Sequence, residues 1–192
     1  MKCPSCAAPF DAPVPRCPHC KFSLHKLDPR FGLVPAHSRL LSDRSGTLPL
    51  SEMQRLRGQL RLFHKKFPQT LFSVFVTELD PGTSVGEYAF WIANRARFTS
   101  SDKTRGENCN LLLVIDIVNK AAALTSGYGL EKHVPQDSLQ KALDEFVTAY
   151  HAGGIPAGIE ACIETLTNDL RELATKAEAE LGQEVQRGSQ TW

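Results

Sequence analysis

A chain of 192 residues, 42% hydrophobic and 22% charged, can bury a core and suits one medium domain with at most a small appendage. Its 22 Lys/Arg nearly cancel its 21 Asp/Glu, and a net charge of +1 argues against a protein that works by blanket attraction to nucleic acid or to an anionic membrane. The longest apolar run, Leu111 to Ile115, is far short of the ~20 residues of a membrane span, and no apolar stretch follows the opening Met1 to Cys6. The expectation is therefore a soluble, cytoplasmic protein with neither signal peptide nor membrane insertion.

Four of the six cysteines lie in the first twenty residues, as Cys3-Pro4-Ser5-Cys6 and Cys17-Pro18-His19-Cys20, with ten residues between the pairs. A C-x-x-C turn aims two thiolates at one point and directs backbone N–H groups at the sulfurs. Two such turns supply the tetrahedral four-sulfur set that Zn²⁺ prefers. So short a segment cannot build a core, so the metal would supply its folding energy. Two disulfides would suit a secreted protein, and a redox C-x-x-C would normally follow a strand; neither context is present. His19 and His25 read as solvated loop histidines, because four cysteines already fill the coordination shell. Residues 1–25 resemble the short zinc ribbons at the N-termini of many bacterial proteins, modules that bind protein, bind nucleic acid or merely cap a chain. Residues 1–40 carry six Lys/Arg against Asp11 and Asp28, an excess of +4 that permits nucleic-acid contact without demanding it. No basic-aromatic interleaving offers a stacking platform; Phe10 and Phe22 are expected to pack beneath the turns.

Residues 26–38 mix Pro29, Gly32 and Pro35 with little periodicity and read as a linker. Residues 38–42 can add an edge strand. The spacing of Met53, Leu56, Leu60, Phe63 and Phe67 predicts a helix over 51–67, capped by Ser51 and stopped by Pro68. Arg57, Arg61 and Lys65 form a basic stripe on it, the usual look of a solvated helix face. Thr70 to Thr77 is β-branched and aromatic and predicts a strand, ended by Pro81-Gly82. Ser84-x-x-Glu87 is a capping box that opens a helix over 84–97, with Trp91 set to pack on the sheet. A polar stretch follows from Thr99 to Asn110. Leu111 to Val118 is a near-continuous apolar run, hence a buried central strand. Asn119-Lys120 turns the chain into a second strand over 121–126, broken by Gly127-Tyr128-Gly129. Helices are predicted over 137–151 and 156–181, separated by Gly153-Gly154. Cys162 falls on the Ile159/Ile163 stripe and reads as a small core hydrophobe. Cys109, His133 and His151 have no partner at ligand spacing.

The alternation predicts a three-layer α/β/α sandwich around a small mixed sheet, preceded by the zinc ribbon. Its first two strands should be parallel across a crossover helix and its last two antiparallel through a hairpin. The expected division is 1–25 ribbon, 26–38 linker, 39–182 α/β/α domain and 183–192 tail.

Four segments, in order, resemble the TPM domain, the family of thylakoid-lumen, photosystem-repair and receptor-modulator proteins. Leu41-Ser42-Asp43-Arg44-Ser45-Gly46-Thr47-Leu48 with Ser51-Glu52 is similar to the family's opening D-x-x-G-x-L and helix start. Asn108-Cys109-Asn110-Leu111-Leu112-Leu113-Val114 is close to its N-G-x-L-L-L-V strand. Gly127-Tyr128-Gly129-Leu130-Glu131 matches its G-Y-G-L-E outright. Tyr150 to Ile159 resembles its closing F-R-x-G-D-Y-x-x-G-L. The resemblance covers roughly residues 40–170. It implies a cleft at the strand ends where Asp43, Asn108, Asp116 and the Gly127–Glu131 loop, Tyr128 included, converge. Such carboxylates could hold Ca²⁺ or Mg²⁺, and a divalent ion there could promote the acid phosphatase activity credited to some members. The chain departs from the family where it has Gln136 in place of an acid, Cys109 in place of glycine, no arginine in the turn 116–120 and no W-G pair near Arg97-Phe98. A site that loses a carboxylate loses charge and affinity, so Ca²⁺ or Mg²⁺ is not the favoured expectation.

Three functions are compatible with these residues. The favoured one is a non-catalytic binding or scaffold module with a protein partner and a structural Zn²⁺ held by Cys3, Cys6, Cys17 and Cys20. The alternative is a metal-dependent, acid phosphatase-like hydrolase. Against it, the chain holds no C-x5-R loop, no D-x-D-x-[TV], no R-H-G and no phosphate-binding G-x-x-x-x-G-K-[ST]. The third is weak nucleic-acid binding through the ribbon, disfavoured by the near-neutral charge.

Overall fold

The computed structural model describes residues 3–6, 8–10, 14–96, 109–131 and 133–188, without the side chains of 178 and 180–188. The chain divides into two compact units, Met1–Lys132 and His133–Trp192. In the first unit the elements after the cysteine turns are α1 (Leu24–Phe31), β1 (Leu41–Asp43), α2 (Leu50–Lys66), β2 (Leu71–Thr77), α3 (Val85–Arg95), β3 (Asn110–Asp116) and β4 (Ala121–Ser126). They build one mixed four-stranded sheet in the order β1-β2-β3-β4. Strands β1, β2 and β3 are parallel, and β4 returns antiparallel to β3.

Every residue of β2 is buried, Ser73 included, and so is all of β3 after Asn110, where the sequence reads as a near-continuous apolar run. A strand with no exposed residue needs cover on both faces, and the pleat shows what supplies it. Phe72 packs its ring against Phe63 of α2, with centroids 5.4 Å apart. Leu71 and Phe75 point the other way and cluster with Ala89, Trp91 and Ile92 of α3. The sheet therefore lies between α2 on one face and α3 on the other, the α/β layering expected. Helix α3 begins as its capping box requires, with the Ser84 side chain accepting the Glu87 N–H at 3.3 Å.

Three boundaries differ from the sequence reading, each for a local reason. Helix α2 starts at Leu50 with Pro49, its φ already at −55°, in the capping position, so Ser51 lies within the first turn. Strand β3 stops at Asp116 rather than Val118, because the Asp116 carboxylate accepts the Val118 N–H and closes the turn. The stretch beginning at Lys26 is not a plain linker: residues 24–31 form α1, whose Leu27 is buried in the α3 cluster. Leu24, Leu27 and Phe31 do carry helical spacing, but Pro29 and Gly32 hide it.

The second unit is one helical element, α4 (Gln136–Gly188), broken at Gly153 and Gly154 into arms 136–152 and 155–188. The arms fold back on each other, with Lys141 Nζ donating to Asp169 Oδ1 at 2.8 Å across the hairpin. Gly154 has φ +76°, a conformation that side chains rarely adopt, and this reverses the chain. Gly158 serves a different need: a Cβ there would stand 2.9 Å from the Phe146 ring and from the Phe146 carbonyl oxygen. Cys162 is fully buried, as the stripe predicted, and burial pushes its thiol up to about 12. Among the described residues no helix is long and apolar enough to cross a membrane.

Two glycines give a paired test. Gly158→Ala should destabilise the protein by about 1–3 kcal/mol through overpacking against Phe146. Gly58→Ala, mid-helix in α2 with open space around it, should stabilise by about 0.5–1 kcal/mol. Urea denaturation of both variants checks the signs; a neutral Gly158→Ala would refute the close helix crossing.

Candidate metal centre

Each cysteine turn is closed by the backbone before any metal enters. The Cys3 N–H donates to Ala8 O at 2.9 Å and the Cys17 N–H to Phe22 O at 2.8 Å. Cys20 N–H points at Cys17 Sγ, 3.4 Å away. Lys21 takes the left-handed conformation, φ +58°, that lets the chain leave the second turn, and its Nζ is held by Pro18 O at 3.0 Å. Together the turns set Cys3 Sγ 3.7 Å from Cys20 Sγ, and Cys6 Sγ 3.7 Å from Cys17 Sγ. All four sulfurs lie within 4.8 Å of one another.

Those separations discriminate between chemistries. A disulfide would bring sulfurs to about 2.05 Å. Four sulfurs around a tetrahedral ion at 2.3 Å stand about 3.8 Å apart along each edge. The two 3.7 Å separations fit the second geometry, and the cysteines are free thiols. Its electrostatics agree. Burial raises the Cys17 thiol, but N–H groups of the turn and neighbouring sulfurs outweigh it and bring the group down to about 6. The N–H of Ala8 would lower Cys6, yet desolvation and the three other sulfurs push it up to about 12. Four thiols this close cannot all ionise unaided; a cation among them would let them do so.

The cysteine head is not loosely tethered. Asp28 of α1 accepts two hydrogen bonds from the Arg95 guanidinium, at 2.8 Å from Nε to Oδ1 and 2.5 Å from Nη2 to Oδ2. Its Oδ1 also accepts Trp91 Nε1–H at 3.0 Å. Around this ion pair Phe22 packs on Phe90, Phe31 packs on Tyr88 and Trp91, and Arg30 pairs with Glu87 at 2.7 Å. Sequence reading missed this clamp, since Asp28 and Arg95 are 67 residues apart and no local pattern links them. Hydrogen bonding from Arg95 holds the Asp28 carboxyl below its ordinary range, against desolvation, and raises the Arg95 guanidinium in return.

The strand-end residues do not assemble as the resemblance implied. Asp43 and Asp116 end β1 and β3 at the same sheet edge, with β2 between them, about 10 Å apart by strand spacing. The Gly127–Glu131 loop lies at the opposite edge. Strand β4 runs antiparallel, so Ser126 faces Leu111, and the Gly127 N–H donates to Asn110 O at 2.7 Å. Tyr128 and Glu131 therefore sit about 17 Å along the strand from Asp116. The second strand of a hairpin ends beside the start of the first, and the loop leaving β4 is placed accordingly. Tyr128 is half-exposed, and burial together with the Glu131 charge pushes its phenol up. Asn108 lies outside the described residues.

Nor are the two acids open. Asp43 Oδ1 accepts from Ser45 N–H and Gly46 N–H at 3.0 Å and from Ser45 Oγ at 2.6 Å, while Oδ2 accepts Leu48 N–H at 2.7 Å. The D-x-x-G-x-L pattern is thus a self-closing turn, its glycine at φ +69°. Asp116, 1% exposed, accepts Leu79 N–H, Val118 N–H and the Asn119 amide. Asn119 in turn accepts Gly82 N–H and donates toward the carbonyls of Leu79 and Asp80. The pair pins the β2–α3 loop to the β3–β4 turn.

The family model of the TPM domain matches residues 41–169. The chain belongs to the TPM domain family. Solved structures share the TPM-like fold at low identity. The N-terminal domain of a protein from P. gingivalis is 20% identical, with a TM-score of 0.53 over 69% of this chain and 82% of that one. The BA42 protein of Bizionia argentinensis is 15% identical, with a TM-score of 0.57 over 68% and 86%. The N-terminal domain of the cg2496 protein of Corynebacterium glutamicum is 12% identical, with a TM-score of 0.53 over 70% and 82%. None of the curated proteins compared with the chain matches it. The family match starts at Leu41, so the cysteine head and α1 precede the TPM domain.

Two outcomes are expected. Asp116→Ala should cost about 2–4 kcal/mol, because it leaves buried N–H donors without an acceptor, as urea denaturation would show. Asp28→Asn should lower the melting temperature at pH 7 and change the Trp91 emission. An Asp with a depressed folded-state pKa contributes stability that is complete above its unfolded pKa, near 4, and is lost as pH falls through the folded value. The difference between Asp28→Asn and wild type should therefore be full at pH 7 and vanish in strong acid. A difference that grows on acidification would contradict the clamp.

Proposed function

We propose that this TPM-domain protein is a non-catalytic binding or scaffold module that displays a zinc-loaded cysteine head to a protein partner. The observation that carries the reading is the way Asp43 and Asp116 are spent. Each carboxylate is engaged by at least three donors that shape its own loops, at a sheet edge remote from Tyr128 and Glu131. Zn²⁺ is the ion that suits four thiolates at tetrahedral separation. Cys3, Cys6, Cys17 and Cys20 would hold it, and it would supply cross-linking rather than chemistry, since four sulfurs leave no open position for substrate. A head of reduced thiolates needs reducing surroundings, which supports a cytoplasmic location. The clamp on α3 favours a head that presents a fixed surface, since a rigid module loses less entropy on docking than a tethered one.

Metal analysis of the purified protein should find close to one zinc per chain and no calcium that survives dialysis. A generic phosphate ester should not be hydrolysed faster with Mg²⁺ or Ca²⁺ than without protein. Metal-dependent turnover would favour the phosphatase reading, and stoichiometric calcium would restore the cleft as a working site. A head lacking metal after expression in zinc-replete medium would remove the module reading.

A further inference from the structure

The net charge of +1 conceals a division between the two units. Residues 1–132 carry 18 Lys/Arg against 11 Asp/Glu, a net +7, and residues 133–192 carry 4 against 10, a net −6. Near-neutrality of the whole chain thus says nothing about the first unit alone. Its positive charge concentrates on α2, where Glu52 is the sole acid and pairs with Arg55, against Arg55, Arg57, Arg61, Lys65 and Lys66.

Positions 57, 61 and 65 recur every four residues and share one side of the helix. Tertiary contacts add to that side and hold it in place. Arg57 Nη2 donates to Leu41 O of β1 at 3.1 Å. His64 Nδ1 lies 3.2 Å from Thr70 O, and with its proton there Nε2 accepts from Arg39 Nη2 at 3.4 Å. Arg39, which precedes the edge strand β1, is thereby set beside the stripe. Arg39, Arg61, Lys65 and Lys66 are exposed. The result is a convex basic ridge along the β1 side of α2.

The shape and chemistry of the ridge select a partner. Cations without accompanying acids match phosphates, and several in a row match a phosphate backbone. The aromatic rings of α2 and its cap do not face outward: Phe63 is buried and packs on Phe67 and Phe72, so no stacking platform for unpaired bases exists on this helix. A helix some 10–12 Å across fits the major groove of B-form DNA, about 12 Å wide, but not the narrow one of duplex RNA. We infer that the ridge of Arg39, Arg57, Arg61 and Lys65 is a sequence-independent contact surface for the phosphate backbone of double-stranded DNA. The inference stands apart from the zinc head and needs no metal.

The test is fluorescence anisotropy of a short labelled DNA duplex, titrated with the full chain between about 50 and 200 mM salt. Four phosphate contacts would weaken binding by about a hundredfold over that range. Arg61→Glu/Lys65→Glu should lose at least about tenfold at low salt and reduce the salt slope by about two. Arg171→Glu/Lys176→Glu on α4 changes the net charge equally and should leave binding intact; if the ridge reversal does not fold by circular dichroism, Arg61→Gln/Lys65→Gln replaces it. Protein stripped of metal with a chelator should still bind. The inference is overturned by absence of binding at low salt, by equal loss in both reversals, or by loss on metal removal with the ridge variant unaffected. Tighter binding to a single strand, to duplex RNA or to anionic lipid vesicles would overturn it too.

Discussion

Asp28 joins two parts of the first unit, the cysteine head with α1 and the α3 face of the sheet. Its carboxylate takes hydrogen bonds from Arg95 and from the buried Trp91, and the rings of Phe22, Phe31, Tyr88 and Phe90 close over the junction. The cysteine head is too short to bury its own apolar surface. The docked helix orders it from one side, and a cation held by its four sulfurs would order it from the other, the two acting in series. Whatever fixes the sulfurs also fixes the start of α1, and whatever fixes α1 limits how far the sulfurs can separate.

The TPM motifs acquire a physical meaning in this setting. The aspartate of D-x-x-G-x-L closes its own turn. Asp116 ties two loops at the sheet edge, with Asn119 as its relay. The last glycine of the closing segment allows Phe146 to cross at van der Waals distance. Residues of this kind are required by the fold whatever the protein does, so a motif match speaks for architecture more strongly than for chemistry. The resemblance to the TPM family is of that sort here: the carboxylates of Asp43 and Asp116 are engaged by donors of the loops around them.

The distribution of charge belongs to the same theme. Summed along the chain it nearly vanishes; divided by unit it does not. Electrostatic attraction acts over about a Debye length, ~8–10 Å, so a surface responds to the charges around it and not to the total. A basic helix flank held by Arg39, Arg57 and His64 is a local object that a global count cannot describe.

Much of this was legible in the sequence. The paired C-x-x-C turns announced the four-sulfur cluster, because each turn is closed by its own local backbone hydrogen bond. The apolar runs, the capping box at Ser84 and the Gly153-Gly154 break placed the elements of the sheet and the helical arms, because periodicity and backbone freedom are properties of neighbours in sequence. What the tertiary structure alone decided was which distant residues meet. Asp28 finds Arg95 across 67 positions, and Arg39 is set against His64. Pairing of that kind depends on how helices and loops far apart in sequence pack side by side on the sheet, and the spacing of residues along the chain does not carry it.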